Sequence, residues 1–155
     1  MLSQATTTKT KRPSAAELLP RNSSKTCRKK WKCKLKQTLI GDYLAIPLTS
    51  EKMLKSESYV MNNCCRNYAA GCAALEYSVF SIRRRSGERL ATLGLAYDGD
   101  YWRFDQCFGP SNTEVLEEIV VYLDDDGGLQ TELFATELYY VAHEVARLMN
   151  SDSMV

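Results

Sequence analysis

Apolar and polar residues alternate along several short stretches of the chain, and an alternation with a period of two predicts β-strands. It is clearest in three consecutive stretches: 77–83, 89–97 and 101–108. The residues between them, which include Gly87 and Gly99, are typical of hairpin turns. We therefore expect a three-stranded antiparallel meander, in which Trp102, Phe104 and Gln106 share one face.

Two further alternating stretches precede the meander. Residues 28–36 place Trp31, Cys33 and Leu35 on one side and lysines on the other, which predicts a strand with one cationic face. Residues 43–48 predict a second short strand, which its proline restricts to a sheet edge or a strand end.

A period of three to four residues predicts helices elsewhere. Four are expected, one from residue 51 with Thr49 or Ser50 as its cap, and others over 58–75, 113–123 and 130–150. The helix over 58–75 is rich in alanine, so it can lie close to a sheet. Strands bracketed by helices, with antiparallel hairpins in the middle, indicate an α+β fold with about four to five strands and a long C-terminal helix.

Charge is distributed unevenly, although the 155 residues carry a net charge of only +1. Residues 1–36 carry eleven Lys or Arg and one acid, whereas residues 113–155 carry one Arg and ten acids. A basic head of this kind is typical of a contact with phosphate or with an acidic surface. Mutual attraction of the two ends also explains the pattern, as does simple solubility.

Composition divides the chain into three parts. A leader over 1–26, rich in Thr, Ser, Lys and Pro, is expected to be disordered; one domain covers 27–150, and a short tail covers 151–155. The N-terminus has no apolar signal segment, and no apolar run approaches the roughly 18 residues of a membrane span. We therefore expect a cytoplasmic protein with no membrane partner, whose oligomeric state these features do not predict.

The six cysteines and the single histidine have no spacing typical of a zinc site. Cys27 and Cys33 do not form a Cys-x-x-Cys pair, and the adjacent Cys64 and Cys65 are poorly placed to bind one tetrahedral ion. We expect reduced thiols, no structural metal and no cofactor.

Cys64 is the strongest candidate for a nucleophile in a thiol enzyme. A reactive thiolate needs a cationic neighbour, a helix N-terminus or an imidazole. Arg66 is close in sequence, but His143 lies far along the chain on a predicted helix. Partial exposure at the surface is the simpler expectation for that histidine.

Small amide side chains cluster in two segments, 59–68 and 106–112. Amides donate and accept hydrogen bonds together, which suits the edge of a nucleobase, a peptide backbone or a buried network. If the two segments meet, they predict a polar pocket lined by Asn63, Cys64, Tyr68, Thr92, Gln106 and Asn112. The alternative explanation is helix capping, with Ser111 or Asn112 at the start of the helix over 113–123.

A second candidate surface is basic. Its members are Arg28, Lys29, Lys30, Lys32, Lys34 and Lys36 in the N-terminal strand and Arg83, Arg84 and Arg85 at a hairpin tip. If they cluster in space, they would form an electrostatic footprint for nucleic acid. The alternatives are lysines that protect an edge strand from pairing and arginines that are merely solvated.

Four motifs follow one another over residues 43–112. They are Ile46-Pro47-Leu48, Met61-Asn62-Asn63-Cys64-Cys65-Arg66-Asn67-Tyr68, Ala91-Thr92-Leu93, and Gln106 with Gly109 and Asn112. Their order and spacing resemble the PcfJ-like domain of conjugative plasmids and phages, which usually has histidine where this chain has Asn63. The resemblance implies a bacterial mobile genetic element, and the missing histidine moves the expectation from thiol chemistry toward binding.

These observations together predict an accessory binding protein of a plasmid or phage, which contacts nucleic acid or a nucleoprotein complex through its basic N-terminal part. Two alternatives stay open. One is a protein-binding inhibitor of a host system that uses the acidic surface over 113–155. The other is a thiol-dependent enzyme that uses Cys64.

Overall fold

The computed structural model describes residues 30–151, so the predicted leader over 1–26, Arg28, Lys29 and the last four residues lie outside the described residues. The elements are β1 (Thr38–Ile40), β2 (Tyr43–Pro47), α1 (Glu51–Met61), a 3-10 turn (Cys65–Tyr68), α2 (Ala69–Ala73), β3 (Tyr77–Arg84), β4 (Arg89–Tyr97), β5 (Trp102–Phe108), a second 3-10 turn (Pro110–Asn112), β6 (Glu117–Leu123), β7 (Leu129–Ala135) and α3 (Glu137–Met149). Strands β1 to β5 form one antiparallel sheet in chain order, and β6 and β7 form a separate ribbon. The α+β class, the central meander and the C-terminal helix are confirmed.

Helix α3 covers one face of the five-stranded sheet. Its buried side chains, among them Val141, Val145 and Met149, pack in one cluster with Phe80 of β3 and Leu93 of β4. Their spacing of four residues puts them on one side of the helix, which explains why the helix lies flat on the sheet.

Helix α1, the first 3-10 turn and α2 cover the opposite face. Leu54, Cys65 and Cys72 from these elements pack against Val79 of β3. Val79 and Phe80 are consecutive strand residues, so their side chains point to opposite faces and separate the two apolar clusters. The face with Val79 carries the candidate pocket.

The strand expected over 28–36 is wrong for the described part of that segment. Only a single bridge, between Lys30 and Ser50, pairs it with the rest of the protein, and the indole N–H of Trp31 donates to the carbonyl of Leu48 at 3.0 Å. Trp31 packs in the α1 cluster and Leu35 in the α3 cluster, so the segment crosses from one face of the sheet to the other. The expected alternation of burial is present without strand pairing.

The single helix expected over 58–75 is also wrong. Helix α1 begins at Glu51, as expected, with the Ser50 hydroxyl accepting from the backbone N–H of Met53, but it ends at Met61. Asn62 then takes a left-handed conformation with φ of 52°. Asparagine adopts this conformation more readily than most residues, so the Asn-Asn pair stops the helix.

The helix expected over 113–123 is wrong because those residues contain strand β6. Three consecutive β-branched residues, Ile119, Val120 and Val121, favour a strand over a helix. The Asp- and Gly-rich segment after Leu123 makes a turn, and the chain returns as β7. The two strands therefore form a hairpin ribbon where a helix and a turn were expected.

The long final helix begins later than expected, at Glu137, because β7 occupies residues 129–135. Thr136 is its N-cap, and its side chain accepts from the backbone N–H of Tyr139. Ser111 and Asn112 cap no helix; both have positive φ, in the second 3-10 turn.

Candidate functional site

A pocket of about 390 Å³ lies between the first 3-10 turn and strands β3, β4 and β5. Six of its lining residues were predicted from the sequence: Asn63, Cys64, Tyr68, Thr92, Gln106 and Asn112. Five were not: Cys65, Tyr77, Val79, Gly94 and Phe108. The fold thus brings the two amide-rich segments together, and none of the lining residues is Lys, Arg, His, Asp or Glu.

Asn63 is held by its own side chain where the chain leaves α1. Its Oδ1 accepts from the backbone N–H of Cys65 at 3.0 Å, and its Nδ2 donates to Oγ1 of Thr92 at 3.1 Å. The Thr92 hydroxyl in turn donates to Oε2 of Glu57 at 2.7 Å. Because these groups are already paired, Asn63 and Thr92 fix the 3-10 turn against β4 and have little capacity left for a ligand.

A buried carboxylate beneath Asn63 was not predicted. Glu57 is 0% exposed, and its Oε1 accepts from Nε of Arg89 at 2.7 Å. Arg83 approaches the same oxygen at 3.9 Å. A buried charge is tolerated when it is paired and hydrogen-bonded, so this network fastens α1 to the sheet. Glu57 lies among the inward positions Leu54, Ser58 and Met61 of α1, which is the sequence signal that could have revealed it.

Two stacked tyrosines form one wall of the pocket. The rings of Tyr68 and Tyr77 have centroids 4.4 Å apart and planes 9° from parallel. The Tyr77 hydroxyl donates to Oδ2 of Asp105 at 2.7 Å. Burial, reinforced by this hydrogen bond, raises the pKa of Tyr77, so its phenol stays protonated.

A bulge in β5 allows two consecutive side chains to reach the same tyrosine. Gly94 pairs with Gln106 and Leu95 with Phe104, so Asp105 is the extra residue. In a regular strand Asp105 and Gln106 would point to opposite faces. The bulge instead lets the Asp105 carboxylate accept from Tyr77 while Nε2 of Gln106 donates to Tyr68 at 2.7 Å and to Tyr77 at 3.3 Å.

Hydrogen-bonding capacity is left at two points of this wall. Among the described residues, Oε1 of Gln106 accepts no hydrogen bond, and the Tyr68 hydroxyl accepts one without donating any. Asn112, across the pocket, has no side-chain hydrogen bond in the described part of the chain. An acceptor, a donor and an amide therefore face the cavity beside two aromatic rings.

Cys64 is the exposed thiol of this region, whereas Cys65, Cys72 and Cys107 are buried. Burial raises the pKa of each of the three buried thiols to about 12, which keeps them protonated at neutral pH. The Sγ atom of Cys65 lies 3.4 Å from the carbonyl oxygen of Leu54, within weak hydrogen-bond reach. The buried thiols thus act as small apolar side chains of the core.

His143 lies away from Cys64. It is exposed on α3, with its ring against Phe104 at 4.9 Å and Tyr139 at 4.3 Å. Helix α3 covers the sheet face opposite to the pocket, so the chain's single imidazole cannot pair with Cys64 in this fold. The expectation of a surface histidine is confirmed.

The structure divides the predicted basic surface. Four lysines of the N-terminal segment are exposed: Lys30, Lys32, Lys34 and Lys36. At the hairpin tip Arg84 and Arg85 are exposed, and Arg84 pairs with Glu88 at 3.0 Å. Arg83 is directed to buried Glu57 instead and leaves this surface.

Comparisons of this chain with protein-family models, with curated proteins and with solved structures found no match. The resemblance to the PcfJ-like domain therefore stays a prediction. No helix within residues 30–151 is long and apolar enough to cross a membrane. In the same part of the chain, no group of three or more His, Cys, Asp and Glu side chains could hold a metal ion.

Proposed function

We propose that the protein is a binding protein whose pocket takes an uncharged nucleobase. The observation that carries the proposal is the free capacity of Gln106 and Tyr68, an acceptor and a donor side by side against stacked aromatic rings. A nucleobase presents the complementary donor and acceptor on one edge and an aromatic face for stacking. The volume of about 390 Å³ is near the lower end of ordinary ligand sites, which suits a base.

The absence of charged residues among the pocket's lining residues favours a base over a phosphate group inside the pocket. The phosphates of a nucleic acid would remain outside the pocket, and we propose the four exposed lysines of residues 30–36 as the groups that contact them. The base could therefore come from a free nucleoside or from a single-stranded nucleic acid. A role in a bacterial mobile genetic element is proposed with it, from the motif resemblance alone.

The test is a titration of the full chain with the four ribonucleosides and with a short mixed oligonucleotide, followed by calorimetry and by amide chemical shifts. We expect at least one base to bind and to shift the resonances of the Gln106 side-chain amide. Steep weakening of oligonucleotide binding as salt rises would identify a polymer ligand. Nucleoside binding without salt dependence would identify a free base.

Gln106→Leu removes the free acceptor, together with the amide that donates to Tyr68 and Tyr77, while nearly preserving the side-chain volume. We expect it to weaken base binding by about tenfold, the effect of losing one good hydrogen bond. Gln130→Leu is the matched control, because Gln130 lies on the ribbon and bonds to Asp124. If no nucleoside and no oligonucleotide binds at millimolar concentration, the proposal is wrong.

A further inference from the structure

The ribbon of β6 and β7 has one face that is almost entirely apolar. The register pairs Ile119 with Leu133, Val121 with Thr131 and Leu123 with Leu129. Residues paired across an antiparallel ribbon point to the same side, so these six side chains share one face. Thr131 is the one polar member of the six, and the next pair on this face, at the base of the ribbon, is Glu117 with Ala135.

This face is turned to solvent. The exposed fractions are Ile119 68%, Val121 59%, Leu123 66%, Leu129 73% and Leu133 64%. At the base of the ribbon the backbone N–H of Thr136 donates to the carbonyl of Leu116 and its hydroxyl donates to that of Val115, which joins the two strand ends. Val115 and Leu116 pack against the apolar cluster of the body. A two-stranded ribbon is at best marginally stable alone in water, so an apolar face left in solvent indicates a partner.

The charges of the ribbon restrict what that partner is. Residues 117–135 carry six acids and no Lys or Arg. Glu118 and Glu132 lie on the opposite face, and the cluster of aspartates lies at the turn. Such a ribbon repels nucleic acid and anionic lipid, and its apolar face carries a single charged residue, Glu117, at the base of the ribbon.

We propose that this apolar face is the dimer interface between two copies of the chain, packed face to face about a two-fold axis near Val121. An aliphatic surface complements itself, and an axis near Val121 leaves Glu117 beyond the paired aliphatic side chains, at the end of the interface. Five aliphatic side chains at these exposures amount to an apolar patch on the order of 500 Å² per copy. Two such patches reach the ~1,000 Å² expected of a biological interface. The dimer does not depend on what the pocket binds.

The test measures the mass of the full chain by sedimentation equilibrium under reducing conditions, from low to high micromolar concentration. We expect the wild-type chain to form a dimer. Val121→Lys should raise the dissociation constant of this dimer by about 100-fold or more, because an ammonium group would be buried at the centre of the interface. Val120→Lys is the matched control, because the side chain of the next residue points to the other face; there we expect a change of about fivefold at most. Circular dichroism checks that each variant is folded.

A second measurement decides the matter if the lysine variants misfold. In a background with Cys27 and Cys64 changed to serine, Val121→Cys should form an intermolecular disulfide under mild oxidation, and Val120→Cys should not. A wild-type chain that is monomeric at high micromolar concentration would overturn the proposal. So would a dimer that resists Val121→Lys, or one whose cross-linking is equal at positions 120 and 121.

Discussion

The ring of Tyr77 lies directly over Gly94, and a Cβ atom added to Gly94 would overlap the Tyr77 hydroxyl and ring. A side chain at position 94 would therefore displace the tyrosine that forms the pocket wall. For Gly94→Ala we expect the free energy of unfolding to fall by about 1–3 kcal/mol, the usual cost of overpacking. Urea unfolding followed by circular dichroism measures this.

A double-mutant cycle tests whether the overlap is the cause. With Tyr77→Ala already in place the space over position 94 is open, so Gly94→Ala should cost less than about 1 kcal/mol. An unchanged cost in that background would mean that the glycine is needed for its backbone and not for the approach of the tyrosine.

Because Glu57 is paired with both Arg89 and Thr92, we expect even a conservative substitution of this residue to lower the free energy of unfolding strongly. Glu57→Gln keeps the shape of the side chain but leaves the half-buried Arg89 guanidinium without its carboxylate, so we expect a loss of about 3 kcal/mol in unfolding free energy. Glu88→Gln, which breaks an exposed ion pair with Arg84, should cost less than about 1 kcal/mol. Equal effects of the two substitutions would contradict a structural role for the buried network.

The meander was predictable because its strands alternate cleanly and its turns contain glycine, but the face of Gln106 was not. Strict alternation puts Gln106 with Trp102 and Phe104, whereas the structure places it on the opposite face. The cause is the single extra residue Asp105. A bulge leaves no mark in the pattern of apolar and polar residues, although a glycine within the neighbouring strand, Gly94, is a typical sign of one.

The ribbon was mistaken for a helix and a turn because helix caps and acidic residues precede an apolar run. At residues 117–123 the preference of β-branched residues for strands outweighs these signals.

The break at Asn62 was missed for a different reason. Apolar residues continue at helical spacing on both sides of it, and only the conformational tolerance of asparagine for positive φ distinguishes a stop from a continuation.

The thiols differ in exposure, which predicts a simple labelling pattern. In the native protein at pH 6.5, iodoacetamide should modify Cys64 and leave Cys65, Cys72 and Cys107 unmodified until urea is added. We expect Cys64 to react no faster than glutathione, because the only imidazole lies on the other face of the sheet. Mass spectrometry of tryptic peptides, with Cys64→Ser as the control, measures the rate at which Cys64 is modified, and this rate is compared with that of glutathione. A rate well above that of glutathione would favour the thiol enzyme.

The same three buried thiols predict that stability falls at alkaline pH. Their pKa of about 12 in the folded protein exceeds the ordinary value of 9.0, so between pH 9 and 12 the unfolded chain loses these protons first. Their contribution is therefore complete below pH 9 and is lost as the pH rises toward 12, by up to about 1.4 kcal/mol per thiol for each pH unit. Tyr77, whose pKa is also raised, acts in the same direction.

Urea unfolding at several pH values from neutral to alkaline measures this slope, and single variants assign it. Cys72→Ala should make the fall above pH 9 shallower, because one buried thiol no longer titrates in the unfolded chain. Cys64→Ser, which changes an exposed thiol instead of a buried one, is the matched control. If Cys72→Ala and Cys64→Ser both give the same slope as the parent chain, burial of these thiols does not cause the loss of stability at alkaline pH.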